Sequence, residues 1–140
     1  MNAVERKIYI TRLDFDRLSR LVMVASEYTY KAPEYIKALK KELDRASIME
    51  AESIPKNVVT MNSKLRLRDI DNDEEMIYTL VFPEDASAED GMISIISPVG
   101  TAILGYSEGD IVEWPIPTGV CHIKIEEILF QPETSGNYNI

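Results

Sequence analysis

The stretch SPVGTAILGYSEGD, Ser97 to Asp110, decides how the second part of the chain is read. Three glycines and two serines give it the look of a phosphate loop, and Gly100 and Gly105 have that loop's spacing. Tyr106 and Ser107 follow, however, where Lys and then Ser or Thr would be needed. Backbone geometry gives a fuller account. Ser97 is a good N-cap, and Pro98 suits the first helical position, where its missing N–H costs nothing. Gly100 and Ala102 keep one side of the helix small, so a sheet or a partner can approach closely. Ile103 and Leu104 supply a core face, and Gly105 is the expected left-handed residue that ends the helix. Residues YSEGD then turn the chain into a strand beginning near Asp110. The stretch is one short helix set between strands.

Working outward, residues from Val58 are β-branched and alternating. VVTMNSKLRLRDI reads as one or two strand segments, with Leu65 and Leu67 alternating against Lys64, Arg66 and Arg68. DNDEE is a polar turn, MIYTLVF a second strand closed by Pro83, EDASAEDG a loop, and MISIIS a short buried strand. Beyond the helix, DIVEW and VCHIKIEEILF make a last pair joined by the turn-rich PIPTG. Strands gathered around one helix predict an α+β fold with a mostly antiparallel sheet.

The amino-terminal part has a different period. IYIT is briefly strand-like, and Thr11 with Asp14 three residues later is a variant capping box that predicts a helix start. Phe15, Leu18, Val22 and Ala25 then recur on one face, with Leu21 beside it. After SEYTYKA, Pro33 suits the first turn of a second helix whose stripe is Ile36, Leu39, Leu43 and Ala46. Two matched stripes predict an antiparallel helical hairpin in which each buries the other. At about 15 residues a helix it reaches roughly 22 Å. SIMEAESIPKN, with Pro55, reads as a linker. The expected division is a hairpin and linker over residues 1–54 and a sheet unit over residues 55–140.

Charge follows the same division. Residues 1–50 carry ten Lys or Arg against eight Asp or Glu, a net of +2, while the remaining 90 carry five against sixteen, a net of −11. Phosphate neutralisation needs a basic surface, so direct nucleic-acid binding is not expected of the acidic part. The outer hairpin faces carry Arg17, Arg20, Lys37, Lys40, Lys41 and Arg45. They read as a solvated face, or as contacts to an acidic partner. No apolar run approaches the about 20 residues that span a bilayer. The first residues hold no apolar signal core, and the single cysteine, Cys121, forms no internal disulfide; both predict a cytoplasmic protein.

Catalytic constellations are not recognisable. Asp69, Asp71 and Asp73 open like a calcium loop, but Glu74 and Leu80 stand where its Gly and final Glu belong. His122, the sole histidine, adjoins Cys121, and neighbours on a strand point to opposite faces, which excludes their acting as a base–nucleophile pair. Trp114 before PIPTG reads as core, or as the wall of a proline-binding pocket. No metal, cofactor or small-molecule substrate is expected.

NVVTMNSKLRLRDIDNDEEMIYTLVFP, MISIISPVGTAILGYSEGDIVEW and ILFQPETSGNY together resemble the bacterial Rnk family, the regulators of nucleoside diphosphate kinase. The resemblance runs from LDFDRL to QPE, and ISIISPVGTAILG is also similar to the carboxy-terminal domain of the Gre transcript-cleavage factors. It implies a small coiled-coil hairpin followed by an FKBP-like domain, and binding to RNA polymerase near the secondary channel. Ser97, Pro98, Val99 and Gly100, matching the Gre motif, are the expected docking residues, with Arg17, Arg20, Lys37, Lys40 and Lys41 as possible hairpin contacts. Gre factors carry an acidic pair at the coiled-coil tip that helps hold a catalytic metal. Here the tip, SEYTYKAPE, has no Asp-x-x-Glu, and Glu27 and Glu34 only flank it. The expectation is therefore a non-enzymatic polymerase regulator that competes with Gre factors and does not stimulate cleavage. The alternative is a prolyl isomerase, chaperone or other interaction module on the FKBP-like domain.

Overall fold

A computed structural model of the chain describes residues 8–27, 34–116 and 118–136, with the backbone alone described at 26, 27, 35 and 114–116. Strand β1 (Tyr9–Thr11) runs into helix α1 (Arg12–Glu27), where the Asp14 N–H donates to Thr11 Oγ1 at 3.2 Å, the cap expected of Thr11. Helix α2 (Glu34–Arg45) returns alongside. The two apolar stripes meet: Leu18, Val22, Ile36, Leu39 and Leu43 are buried, with Phe15, Leu21, Ala25 and Ala46 packed around them. Pro33 and the tip at 28–33 lie outside the described residues.

The segment read as a linker begins instead with a strand, β2 (Ser47–Met49), paired in parallel with β1, followed by a 3-10 turn at Ala51–Ser53. Three residues are too few for alternation to show in a sequence, and β2 exists because β1 offers it an edge.

The main sheet has the order β5-β4-β3-β7-β6, with β3 Lys64–Asp69, β4 Glu74–Val81, β5 Met92–Ser94, β6 Ile111–Ile116 and β7 Gly119–Phe130. Pairs β3–β4, β3–β7 and β6–β7 are antiparallel, while β4–β5 is parallel. The mixed α+β architecture matches the sequence reading, with two local differences. Residues 58–63 form no regular strand, although Val58 to Met61 and Ser63 are buried. Their backbone is satisfied elsewhere, Val59 N–H donating to Tyr106 O at 2.8 Å and Asn62 N–H to Leu80 O at 2.6 Å. MISIIS is strand only over Met92–Ser94; the chain then turns so that Ile95 enters the core.

The outer face of the sheet depends on a bulge. Leu65 and Leu67 are fully buried on the inner face, so Arg66 and Arg68 share the outer one. Opposite them β7 shifts register, with Arg66 facing Glu127 and Leu67 facing Ile125. The extra residue, Glu126, lets two consecutive glutamates serve one face. Arg66 pairs with Glu127, while Arg68 reaches Glu126 at 2.9 Å, Glu75 at 3.1 Å and Asp73 at 3.2 Å.

One buried cluster joins the helical and sheet parts, running from Ile8, Ile10, Leu18 and Leu39 to Leu65, Leu80, Ile103 and Ile125. Tyr9 N–H donates to Gly105 O at 3.2 Å across the junction. Gly105 has φ +81°, and a Cβ there would lie 2.8 Å from Ile8 Cβ. Conformation and space both require glycine at this point.

Candidate partner-binding site

Helix α3 (Pro98–Ile103) forms as its residues dictate. The Gly100 N–H donates to Ser97 Oγ at 3.1 Å, and the Ser97 hydroxyl donates to Ser94 O at 2.6 Å. Gly100 backs onto the chain leaving β5, where a Cβ would come within 2.2 Å of Ser94 O. The small side of the helix is thus used by the fold. Ile103 and Leu104 are buried as expected, and the Thr101 hydroxyl donates to Ile95 O at 2.7 Å. Of the four expected docking residues, Pro98 is exposed, Ser97 and Val99 are half-buried, and Gly100 is buried. The open start of α3 is narrower than Ser97 to Gly100, because two of these residues serve its cap and its seat.

The basic hairpin residues divide between two surfaces. Arg17 and Arg20 on α1 line an open groove of about 500 Å³ together with Leu21, Val24, Phe82, Glu84 and Asp85, the last two in the turn at Pro83–Asp85. The Arg17 guanidinium lies 5.8 Å from the centre of the Phe82 ring. Lys37, Lys40 and Lys41 are exposed along α2, with Lys37 3.8 Å from Glu34 and Lys40 3.1 Å from Asp44. These are solvated i,i+3 and i,i+4 pairs.

Three groups that resembled chemistry have structural partners. Asp69 Oδ1 accepts the Asp71 N–H at 3.0 Å, and Asn72 Oδ1 accepts the Glu74 N–H at 2.9 Å, so the acidic run builds the β3–β4 turn. Cys121 Sγ lies 3.7 Å from Asp69, and burial followed by that carboxylate pushes the thiol up, away from thiolate reactivity. His122 engages Asp71 and Glu113 rather than Cys121. Among the described residues no group of three or more His, Cys, Asp or Glu side chains could hold a metal ion. The side chain of Trp114 lies outside the described residues.

Two tertiary contacts escaped the sequence reading. Asp14 Oδ2, 2% exposed at the start of α1, accepts the Met61 N–H at 3.1 Å and so fastens the hairpin to the sheet unit. Burial pushes this carboxyl up from 3.8 to about 7 despite the Met61 hydrogen bond. Arg45, at the end of α2, donates to the Tyr106 hydroxyl at 2.6 Å. The only sequence signal for either was a charged residue at a helix end.

Residues 54–130 match the family model for the carboxy-terminal domain of the transcription elongation factors GreA and GreB, and residues 6–49 match the Rnk amino-terminal model. The chain is 36% identical to the regulator of nucleoside diphosphate kinase of Escherichia coli K12 over 132 residues, covering 94% of this chain and 95% of that protein. The chain belongs to the Rnk family. Its likeness extends to elongation factor GreA of Chloroherpeton thalassium, 36% identical over 74% of this chain and 66% of that protein. A solved GreA/GreB elongation factor from Nitrosomonas europaea superimposes with a TM-score of 0.72 at 39% identity, covering 90% of this chain and all of that one. This Rnk-family chain is thus a regulator of the transcription-elongation-factor type. No helix among its described residues is long and apolar enough to cross a membrane.

Proposed function

We propose that this protein binds RNA polymerase beside the secondary channel, competes there with Gre-type factors, and does not stimulate transcript cleavage. The observation carrying this reading is a Gre-type carboxy-terminal unit joined to a short hairpin: α1 has 16 residues, about 24 Å of helix, and α2 has 12. A metal ligand must come within about 2.0–2.6 Å of its ion. A hairpin shorter than the Gre coiled coil, without Asp-x-x-Glu in its tip sequence, does not meet that requirement from the same docking position. The protein then acts as two joined units, residues 1–54 and 55–140, with docking by the second. Pro98 is the exposed point of contact beside Ser97, Val99 and Gly100, and Arg17, Arg20, Lys37, Lys40 and Lys41 supply further contacts along the hairpin. The protein works in the cytoplasm and has no catalytic activity of its own.

The test is retention of the protein on immobilised core polymerase, displacement by an excess of a Gre factor, and transcript cleavage measured in the same complexes. Retention with displacement and no cleavage supports the reading. Failure to associate at micromolar concentration overturns the docking, and stimulated cleavage overturns the argument from the hairpin.

A further inference from the structure

His122 lies on β7 where three segments meet. Its Nδ1 is 3.1 Å from Asp71 Oδ2 in the β3–β4 turn, and its Nε2 is 3.2 Å from Glu113 Oε2 on β6. The same Asp71 oxygen accepts the His122 backbone N–H at 3.2 Å, and the His122 carbonyl accepts the Ile70 N–H at 3.1 Å. A neutral imidazole carries one N–H, and a carboxylate only accepts. The ring can therefore satisfy both carboxylates only as the imidazolium. When neutral it turns a lone pair toward one of them.

The two carboxylates are not held equally. Asp71 is bonded to both the ring and the backbone of His122, so a neutral ring keeps its proton on Nδ1 and presents its lone pair to Glu113. We infer that His122, Asp71 and Glu113 form a proton-operated clasp: protonation of the ring ties β6 to the β3–β4 turn through Glu113, and deprotonation releases Glu113 while Asp71 stays. Charged groups at neighbouring positions of the sheet are Asp69 on β3, whose carboxylate lies 3.7 Å from Cys121 Sγ, and Lys124 on β7, 3.7 Å from Glu126. Arg68 and Asp73 pair with each other nearby, and Arg68 is further engaged by Glu75 and Glu126. The carboxylates in contact with the ring are Asp71 and Glu113, and these are the charged groups that act on it. The hydrogen bond to Asp71 is the largest effect on the His122 ring; burial opposes it, and the lesser contributions of the Asp71 and Glu113 charges join it in holding the ring above the ordinary histidine range. The same hydrogen bond holds the Asp71 carboxyl below the usual carboxylate range.

Because His122 is the only histidine, its ring Cε1–H signal can be followed without ambiguity in an NMR pH titration of the full chain. The ring midpoint is expected above about 6.5, and the Glu113 side-chain carboxyl and backbone amide are expected to shift with that same midpoint. Glu113→Gln is expected to lower the midpoint, Asp71→Asn to lower it further, and the double variant to return it to the ordinary value. Both replaced side chains are exposed, and retained amide spectra check the fold. If Asp71→Asn disturbs the turn, Glu113→Gln decides alone. A parent midpoint at or below about 6.5, a Glu113 signal that does not follow the ring, or a midpoint unmoved by Glu113→Gln overturns the clasp.

Discussion

Asp14 shows how one side chain can carry two meanings. In sequence it is the third residue after a cap; in the fold it is a carboxyl buried between hairpin and sheet, raised from 3.8 to about 7 by that burial. A raised carboxyl means that the folded state holds a proton the unfolded chain has released. The resulting stability is fully present below 3.8 and is lost as pH rises to about 7, a change of as much as ~4 kcal/mol. Asp14→Asn keeps an acceptor for Met61 and removes the charge. Denaturation curves of this variant are expected to be flatter with pH and to lie above the parent at pH values beyond the carboxyl's titration. Gly100 makes the complementary point about space. Its replacement by Ala drives a methyl group into the Ser94 carbonyl, at an expected cost of roughly 1–3 kcal/mol in a thermal or denaturant melt.

At the scale of the element, α3 holds within one turn of helix both residues that serve the fold, Ser97 and Gly100, and the exposed Pro98 of the proposed docking point. Ser97→Ala removes the cap to Gly100 and is expected to cost about 1 kcal/mol of stability. Pro98 is exposed at the next position, so Pro98→Glu is expected to leave the melting curve close to the parent's while weakening retention on polymerase several-fold. Ser97, Pro98 and Gly105 made the helix and its limits legible in the sequence, because a cap, a fixed φ and a left-handed stop are local requirements. Its orientation was not legible. Whether Gly100 faced a partner or the protein's own backbone depended on Ser94, which a turn brings beneath the helix.

At the largest scale, an apolar cluster among the described residues runs through both hairpin and sheet. Leu39, fully buried on α2, belongs to it. Leu39→Ala is expected to cost about 2–5 kcal/mol and to destabilise both parts together. Helix ellipticity and the fluorescence of the sole tryptophan, Trp114 on β6, are expected to lose their signals at the same denaturant concentration in parent and variant. Separate transitions would mean that the Asp14, Gly105 and Arg45 contacts do not couple the units.

What the sequence determined by itself was whatever rests on neighbours in the chain. The two helical stripes, the alternation at Leu65 and Leu67, the caps of α1 and α3, and the Rnk and Gre motifs all fall within short windows. Tertiary structure alone decided what depends on residues far apart in sequence. It made β2 a strand by laying it beside β1, buried Asp14 against Met61, and closed Gly100 over Ser94. It also set His122 between Asp71 and Glu113, so that three segments distant in sequence meet at one ring. Burial and hydrogen bonding are set by which segments pack together, and periodicity records only which face of each segment is apolar.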